Sequence, residues 1–214
     1  MVQRKETRVL NEKGISSTEV TVIGLPVAEP AALGLIGLAV AALILASADL
    51  QLVSNDPSKS LMIPWILFFG ATAQLIAGAM EFKRNNIFGA TVFSVYAMTM
   101  YSIALTLFIN NSSVVTPGNL HHYAYGLIGI LVFSLIATVA SLMTNKVLFG
   151  ILIAVDLAVA LLIPHYLYEM TAWPAGIFLL VTSVLSFYAA AAILLNTMAG
   201  KIILPVGKPL WVPK

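Results

Sequence analysis

Val147-Leu148-Phe149-Gly150-Ile151-Leu152-Ile153-Ala154-Val155-Asp156-Leu157-Ala158-Val159-Ala160-Leu161-Leu162-Ile163-Pro164-His165-Tyr166-Leu167 is the stretch that decides the fold. One acid interrupts an otherwise apolar run, and the run lacks the strict alternation of a barrel strand. A helix needs about 20 residues to cross the hydrocarbon of a bilayer, and this run has that length. Five more runs of the same kind lie outward from it: Ala32 to Val53, Leu61 to Met80, Phe88 to Ile109, His122 to Met143 and Pro174 to Ala199. The expected fold is an all-α membrane protein, a bundle of six transmembrane helices. The expected division is a polar tail over 1–29, the transmembrane domain over 30–200 and a short tail over 201–214.

Composition agrees. The 214 residues are 60% hydrophobic and 9% charged, against about 25% charged in a soluble domain. That much apolar surface needs lipid around it. A net charge of +2 gives no reason to expect a nucleic-acid partner, and without cysteine neither disulfides nor thiolate metal sites arise. The first apolar run starts late, behind a polar tail, which is not the layout of a signal peptide.

The breaks between the runs are turns or short charged segments: Asn55-Asp56-Pro57-Ser58, Glu81 to Asn86, Asn110 to Ser113 with Thr116-Pro117-Gly118-Asn119, and Thr144-Asn145-Lys146. Such short links make successive helices antiparallel. Arg4, Lys5, Arg8, Lys13, Lys83, Arg84, Lys146, Lys201, Lys208 and Lys214 fall on one side, and only Lys59 on the other. The positive-inside rule places both termini in the cytoplasm. Asn86 and Asn145 open the third and fifth helices in similar settings. Ordinary helix-start chemistry accounts for that echo better than an internal repeat does.

Few residues inside the spans can do chemistry. Gly70, Gln74, Ala77, Gly78 and Glu81 share one face of the second helix. The stripe reads either as helix–helix glue or as a pore wall whose Gln74 amide meets a carboxylate. Thr91, Ser94, Thr99 and Ser102 mark the third helix, and Tyr96 lies deep in it, where a tyrosine hydroxyl needs a partner. Asp156 stands near the bilayer centre, where an aspartate costs about 2.5–3.5 kcal/mol. It reads either as a structural hydrogen-bonding group or as a proton-linked one. Asp49 reads as interfacial, and Glu81 as a partner of Lys83, Arg84 or the loop amides. His121, His122 and His165, with Glu169, make a poor metal set; no metal or other cofactor is expected. Trp65, Trp173, Tyr123, Tyr125, Tyr166 and Tyr168 read as an aromatic belt, and Pro164 as a kink. No motif of a known enzyme class is present.

Three pieces of sequence go further. Glu29-Pro30-Ala31-Ala32-Leu33-Gly34-Leu35 resembles the N-P-A-P-L-G-L signature of the acetate uptake transporter family, the succinate–acetate permeases. Phe69 to Thr91 is similar to that family's second-to-third helix block, with its Q-x-x-A-G-x-x-E-[FY] core at Gln74 to Phe82. Ala175-Gly176, Tyr188, Asn196 and Leu204-Pro205-Val206-Gly207 resemble its ending. Glu29 departs from the signature asparagine, Ala32 from its second proline and Ile87 from the usual threonine; the family's glycine-tryptophan pair is not reproduced.

The resemblance implies a six-helix protomer with its own pore, in a homohexameric ring. The implied substrates are acetate and other short carboxylates such as succinate, moved by channel-like or proton-coupled passage. It implies a hydrophobic constriction at Leu38, Tyr96 and Val155, and a pathway through Gln74, Tyr96, Thr91 and Glu29. Asp156, which is no part of the resemblance, adjoins the constriction position and is the candidate proton-linked residue. A neutral-solute channel for urea or an amide, a membrane scaffold or sensor, and an intramembrane enzyme are the competing readings.

Overall fold

The computed structural model describes residues 3–10, 16–23, 27–53, 58–112 and 120–212. The turns expected at 55–57 and 113–119 lie outside them. Among the described residues, six helices are long and apolar enough to span a membrane: α1 Ala31–Asp49, α2 Lys59–Lys83, α3 Ile87–Asn111, α4 His121–Ser141, α5 Lys146–Tyr168 and α6 Trp173–Ala199. The protein is a multi-pass membrane protein. Ahead of the helices, the stretch read as a plain polar tail forms an antiparallel hairpin of β1 Gln3–Leu10 and β2 Ser16–Ile23, with Gln3 opposite Ile23. The β-branched run of β2 favours an extended backbone.

Helix ends follow local chemistry. Asn86 and Asn145 cap α3 and α5 identically, each accepting from the backbone N–H three residues on, at Gly89 (3.2 Å) and Leu148 (2.9 Å). The echo between them is therefore helix-start chemistry. α1 ends four residues before the expected Val53, because Leu50 caps it and Gln51 turns left-handed at φ 55°. α5 runs through Pro164 to Tyr168.

α2 is not uniform. It opens with a 3-10 turn, Ser58–Leu61, then widens to a π-helix over Ile66–Ala73 before Gln74–Lys83 resumes the α-helix. Where the ladder shifts register, side chains supply extra bonds to the backbone. The Thr72 hydroxyl donates to the Leu67 carbonyl (2.9 Å), and the Gln74 amide to the Gly70 carbonyl (2.7 Å).

The helices pack in a ring in chain order. α1 meets α2 and α6, α2 meets α3, α4 meets α5, and α5 meets α6; α3 and α4 touch only sparingly. α1 comes close to its neighbours through glycine. A Cβ on Gly37 would run into the Phe69 carbonyl, and one on Gly34 into the Phe93 ring.

The C-terminal tail folds back under the bundle. Asn196 accepts from the N–H groups of Ile203 (2.6 Å) and Leu204 (3.0 Å) and donates to the Leu204 carbonyl (2.8 Å). The Tyr188 hydroxyl donates to the Pro205 carbonyl (2.7 Å). Val147 N–H donates to the Val206 carbonyl, and Leu210 and Trp211 N–H groups share the Leu142 carbonyl. Asn196, Tyr188 and the Leu204-Pro205-Val206-Gly207 words thus form one strap.

Candidate substrate passage

Two cavities run into the ring from opposite sides. The near cavity, on the side of the chain termini, has a volume of about 160 Å³ and is lined by Gln74, Glu81, Asn86, Asn145, Phe93 and Val206 among others. The far cavity measures about 390 Å³ and is lined by Asp49, Lys59, Tyr123, His165, Tyr166 and Thr99 among others. Both are bounded by Leu38 and Tyr96. Val155 closes the far cavity at this level, and Leu152, one turn earlier on α5, closes the near one. Leu38, Tyr96 and Val155 are all buried. The three residues to which the resemblance pointed therefore stand together where the cavities meet.

Tyr96 is held there by a hydrogen-bonded chain. The Ser134 hydroxyl donates its one hydrogen to Asp156 Oδ1, so Tyr96 donates to Ser134 Oγ (2.7 Å). Thr138 donates to the other carboxylate oxygen of Asp156 (2.7 Å). The Phe133 ring packs edge-on against Tyr96, its centroid 5.8 Å away. This chain joins α3, α4 and α5 across the sparsest contact of the ring. Asp156 is buried and lines neither cavity. Hydrogen bonds to both of its side-chain oxygens compensate its burial.

On the near side the stripe of α2 serves two purposes. Gly78 allows close approach to Ser94 of α3, and Gly70 to Ala41 and Met100. Gln74 and Glu81 face the cavity instead, and both are fully buried. Gln74 uses its amide nitrogen on Gly70 and leaves Oε1 without a partner. Glu81 accepts from the Asn86 amide through Oε2 (2.9 Å) and leaves Oε1 bare. Of the partners considered for Glu81, the loop amide of Asn86 is the one found. Arg84 is taken by an ion pair with Glu29.

Two expected pathway residues lie elsewhere. Thr91 is exposed and borders neither cavity; five residues from Tyr96, it falls well round the helix from it. Glu29 is exposed outside the near cavity, tied to Arg84 and, at 3.4 Å, to the Ala31 N–H. Two belt tyrosines also turn inward. Tyr123 and Tyr166 pack edge to face at 4.8 Å on the far cavity wall, whereas Trp65, Trp173, Tyr125 and Tyr168 remain exposed. Asp49, read as interfacial, lines the same wall. His165 donates from Nδ1 to the Met170 carbonyl.

Sequence reasoning missed Ser134 and Thr138. They sit at i and i+4 on α4, with Ser141 at i+7, all buried. That polar stripe on an apolar helix was the available signal. It also missed Val206, which reaches the near cavity only because the strap folds back.

The comparisons with known proteins agree with this architecture. The structure of the bacterial acetate channel SatP matches with a TM-score of 0.78 and 26% sequence identity, over 85% of this chain and 100% of that one. The succinate-acetate/proton symporter SatP of Escherichia coli strain K12 is 27% identical over 193 residues, 85% of this chain and 96% of that protein. A protein of Methanothermobacter thermautotrophicus is 32% identical over 99 residues, spanning 46% of this chain and only 47% of that relative's length. The model of the GPR1/FUN34/yaaH family matches residues 17–209. On a match of that extent, joined to a shared six-helix fold, the chain belongs to the GPR1/FUN34/yaaH family.

Proposed function

We propose that this protein carries acetate, and related short carboxylates such as succinate, across the cytoplasmic membrane through a passage inside each protomer. The observation that carries the reading is the pair of opposed cavities that share Leu38 and Tyr96. A short apolar neck between two wetted chambers passes a small solute and stops large ones. The names of the SatP relatives support the substrate class. The near cavity opens to the cytoplasm, in keeping with the positive charge on the terminal side. Gln74 lines the route and Tyr96 sets the neck with Leu38 and Val155. Asp156 acts on the neck indirectly, by holding Ser134 and through it Tyr96. Protomers assemble as a homohexamer in lipid.

Labelled acetate uptake into proteoliposomes, with succinate and urea in parallel, tests the reading. Acetate flux well above empty liposomes, with little for urea, is expected. Urea flux without acetate flux would make the protein a neutral-solute channel, and flux of neither would leave a scaffold or sensor.

A further inference from the structure

The near cavity has a chemical imbalance. Among the described residues its wall carries one ionisable acid, Glu81, and no cation. It also carries two fully buried acceptor atoms with no hydrogen-bond partner, Gln74 Oε1 and Glu81 Oε1. Leaving such an atom unsatisfied is costly, and more so for a charged group. A carboxylate ion brings only further acceptors. It cannot repair either atom, and it adds a second negative charge in a space too small to screen the first. A donor repairs both.

From this we infer that Glu81 is the proton carrier of the passage, and that one proton is shared between Glu81 and the substrate carboxyl in the near cavity. The inference rests on the proposed carboxylate transport. The substrate passes the neck as the neutral acid, and its hydroxyl donates to Gln74 Oε1. Gln74 and Glu81 stand seven residues apart on one face of α2, about 10 Å along the helix, so the acid meets the amide first. The proton then moves from the acid hydroxyl to Glu81 Oε1, giving a substrate carboxylate and a neutral Glu81. Water at the mouth takes the proton from Glu81 and resets it. Run backwards, the same exchange loads a proton onto an outgoing carboxylate.

The surroundings allow Glu81 to work in this way. The charged groups acting on it from outside the cavity are Glu29 and Arg84, which pair with each other. From the cap of α3 it meets Asn86, whose amide holds Oε2 and leaves Oε1 without a partner. Asn145 of α5 and Val206 of the strap complete the wall without adding charge. Asp156 has the opposite setting: both its oxygens are occupied and it borders neither of the two cavities. The proton-linked role that its depth invited belongs to Glu81.

The test is acetate movement in proteoliposomes under a clamped voltage, with and without an imposed pH gradient. Wild type should accumulate acetate on the alkaline side faster than empty liposomes, which neutral acetic acid also crosses. Glu81→Gln, which cannot take the proton from the incoming acid, should slow that accumulation several-fold. Asp156→Asn should keep the pH-gradient response, and Glu81→Asp should keep it with an altered pH profile. Wild-type and Glu81→Gln gradient responses that superimpose would overturn the inference while leaving the transport function standing. No acetate flux in the wild type would instead sink the transport reading itself. Should Glu81→Gln fail to assemble, the wild type decides the matter by infrared difference spectroscopy with isotope-labelled acetate. Loss or gain of a protein carboxylic-acid band on adding acetate supports the inference, and no such band overturns it.

Discussion

The two chambers of the passage are built on different principles. The near half is tight: α1 meets its neighbours through Gly34 and Gly37, α2 meets α3 through Gly78, and the C-terminal strap lies beneath. What space remains is about 160 Å³ and is lined by Gln74 and Glu81, each of which has one oxygen without a partner. The far half is wider, about 390 Å³, and mixes Asp49 with Lys59 and His165. One is narrow and holds the acid Glu81, and the other is wider and sets the acid Asp49 beside Lys59. On the proposed function, selectivity and proton handling would fall to the near half and the neck, and capture from solution to the far half.

The largest effect expected from breaking this contrast is at Gly37. A Gly37→Val side chain would strike the Phe69 backbone carbonyl, which has no rotamer to escape into. Detergent extraction should yield little monodisperse protein. Gly126→Ala on α4, where an added Cβ meets nothing within 4 Å, should behave as wild type in the same assay. Equal yields would show that the near half is not held by close packing.

The neck comes next. Tyr96→Ala should raise butyrate flux relative to acetate several-fold, and Tyr96→Phe should keep the size limit while losing the bond to Ser134. A size series unchanged in Tyr96→Ala would remove this residue from the constriction.

Asp156→Leu should loosen the same neck by a smaller factor, since Tyr96 stays but its hydrogen-bonded chain loses its anchor. Ser134 and Thr138 are left without their acceptor, at about 1–3 kcal/mol for each buried group left unsatisfied. A lowered thermal midpoint together with a shifted butyrate-to-acetate ratio is expected. A lowered midpoint with the ratio fixed would separate Asp156 from the neck.

The smallest effect belongs to Glu29→Gln. Its pair with Arg84 is one-third exposed on both sides, and such pairs contribute about 0–1 kcal/mol. Melting temperature and acetate flux should stay close to wild type. A large fall in flux would return Glu29 to the pathway.

The sequence determined the six spans, the caps at Asn86 and Asn145, and the need for a buried setting around Gln74, Tyr96 and Asp156. Those follow from local facts: run length against bilayer thickness, side-chain capping, and the cost of a polar group in hydrocarbon. Only the tertiary structure decided which way each polar group faces. Helical periodicity placed Gln74, Gly78 and Glu81 on one face, but only packing against α3 made Gly78 a contact and Glu81 a wall. Sequence alone could not say which acid keeps an unpartnered oxygen: Asp156 has both oxygens bonded, and Glu81 leaves Oε1 without a partner. Asn86 lies five residues from Glu81, within one stretch of sequence, whereas Ser134 and Thr138 reach Asp156 from another helix. That second meeting is a property of the ring of helices, which no single span of sequence contains.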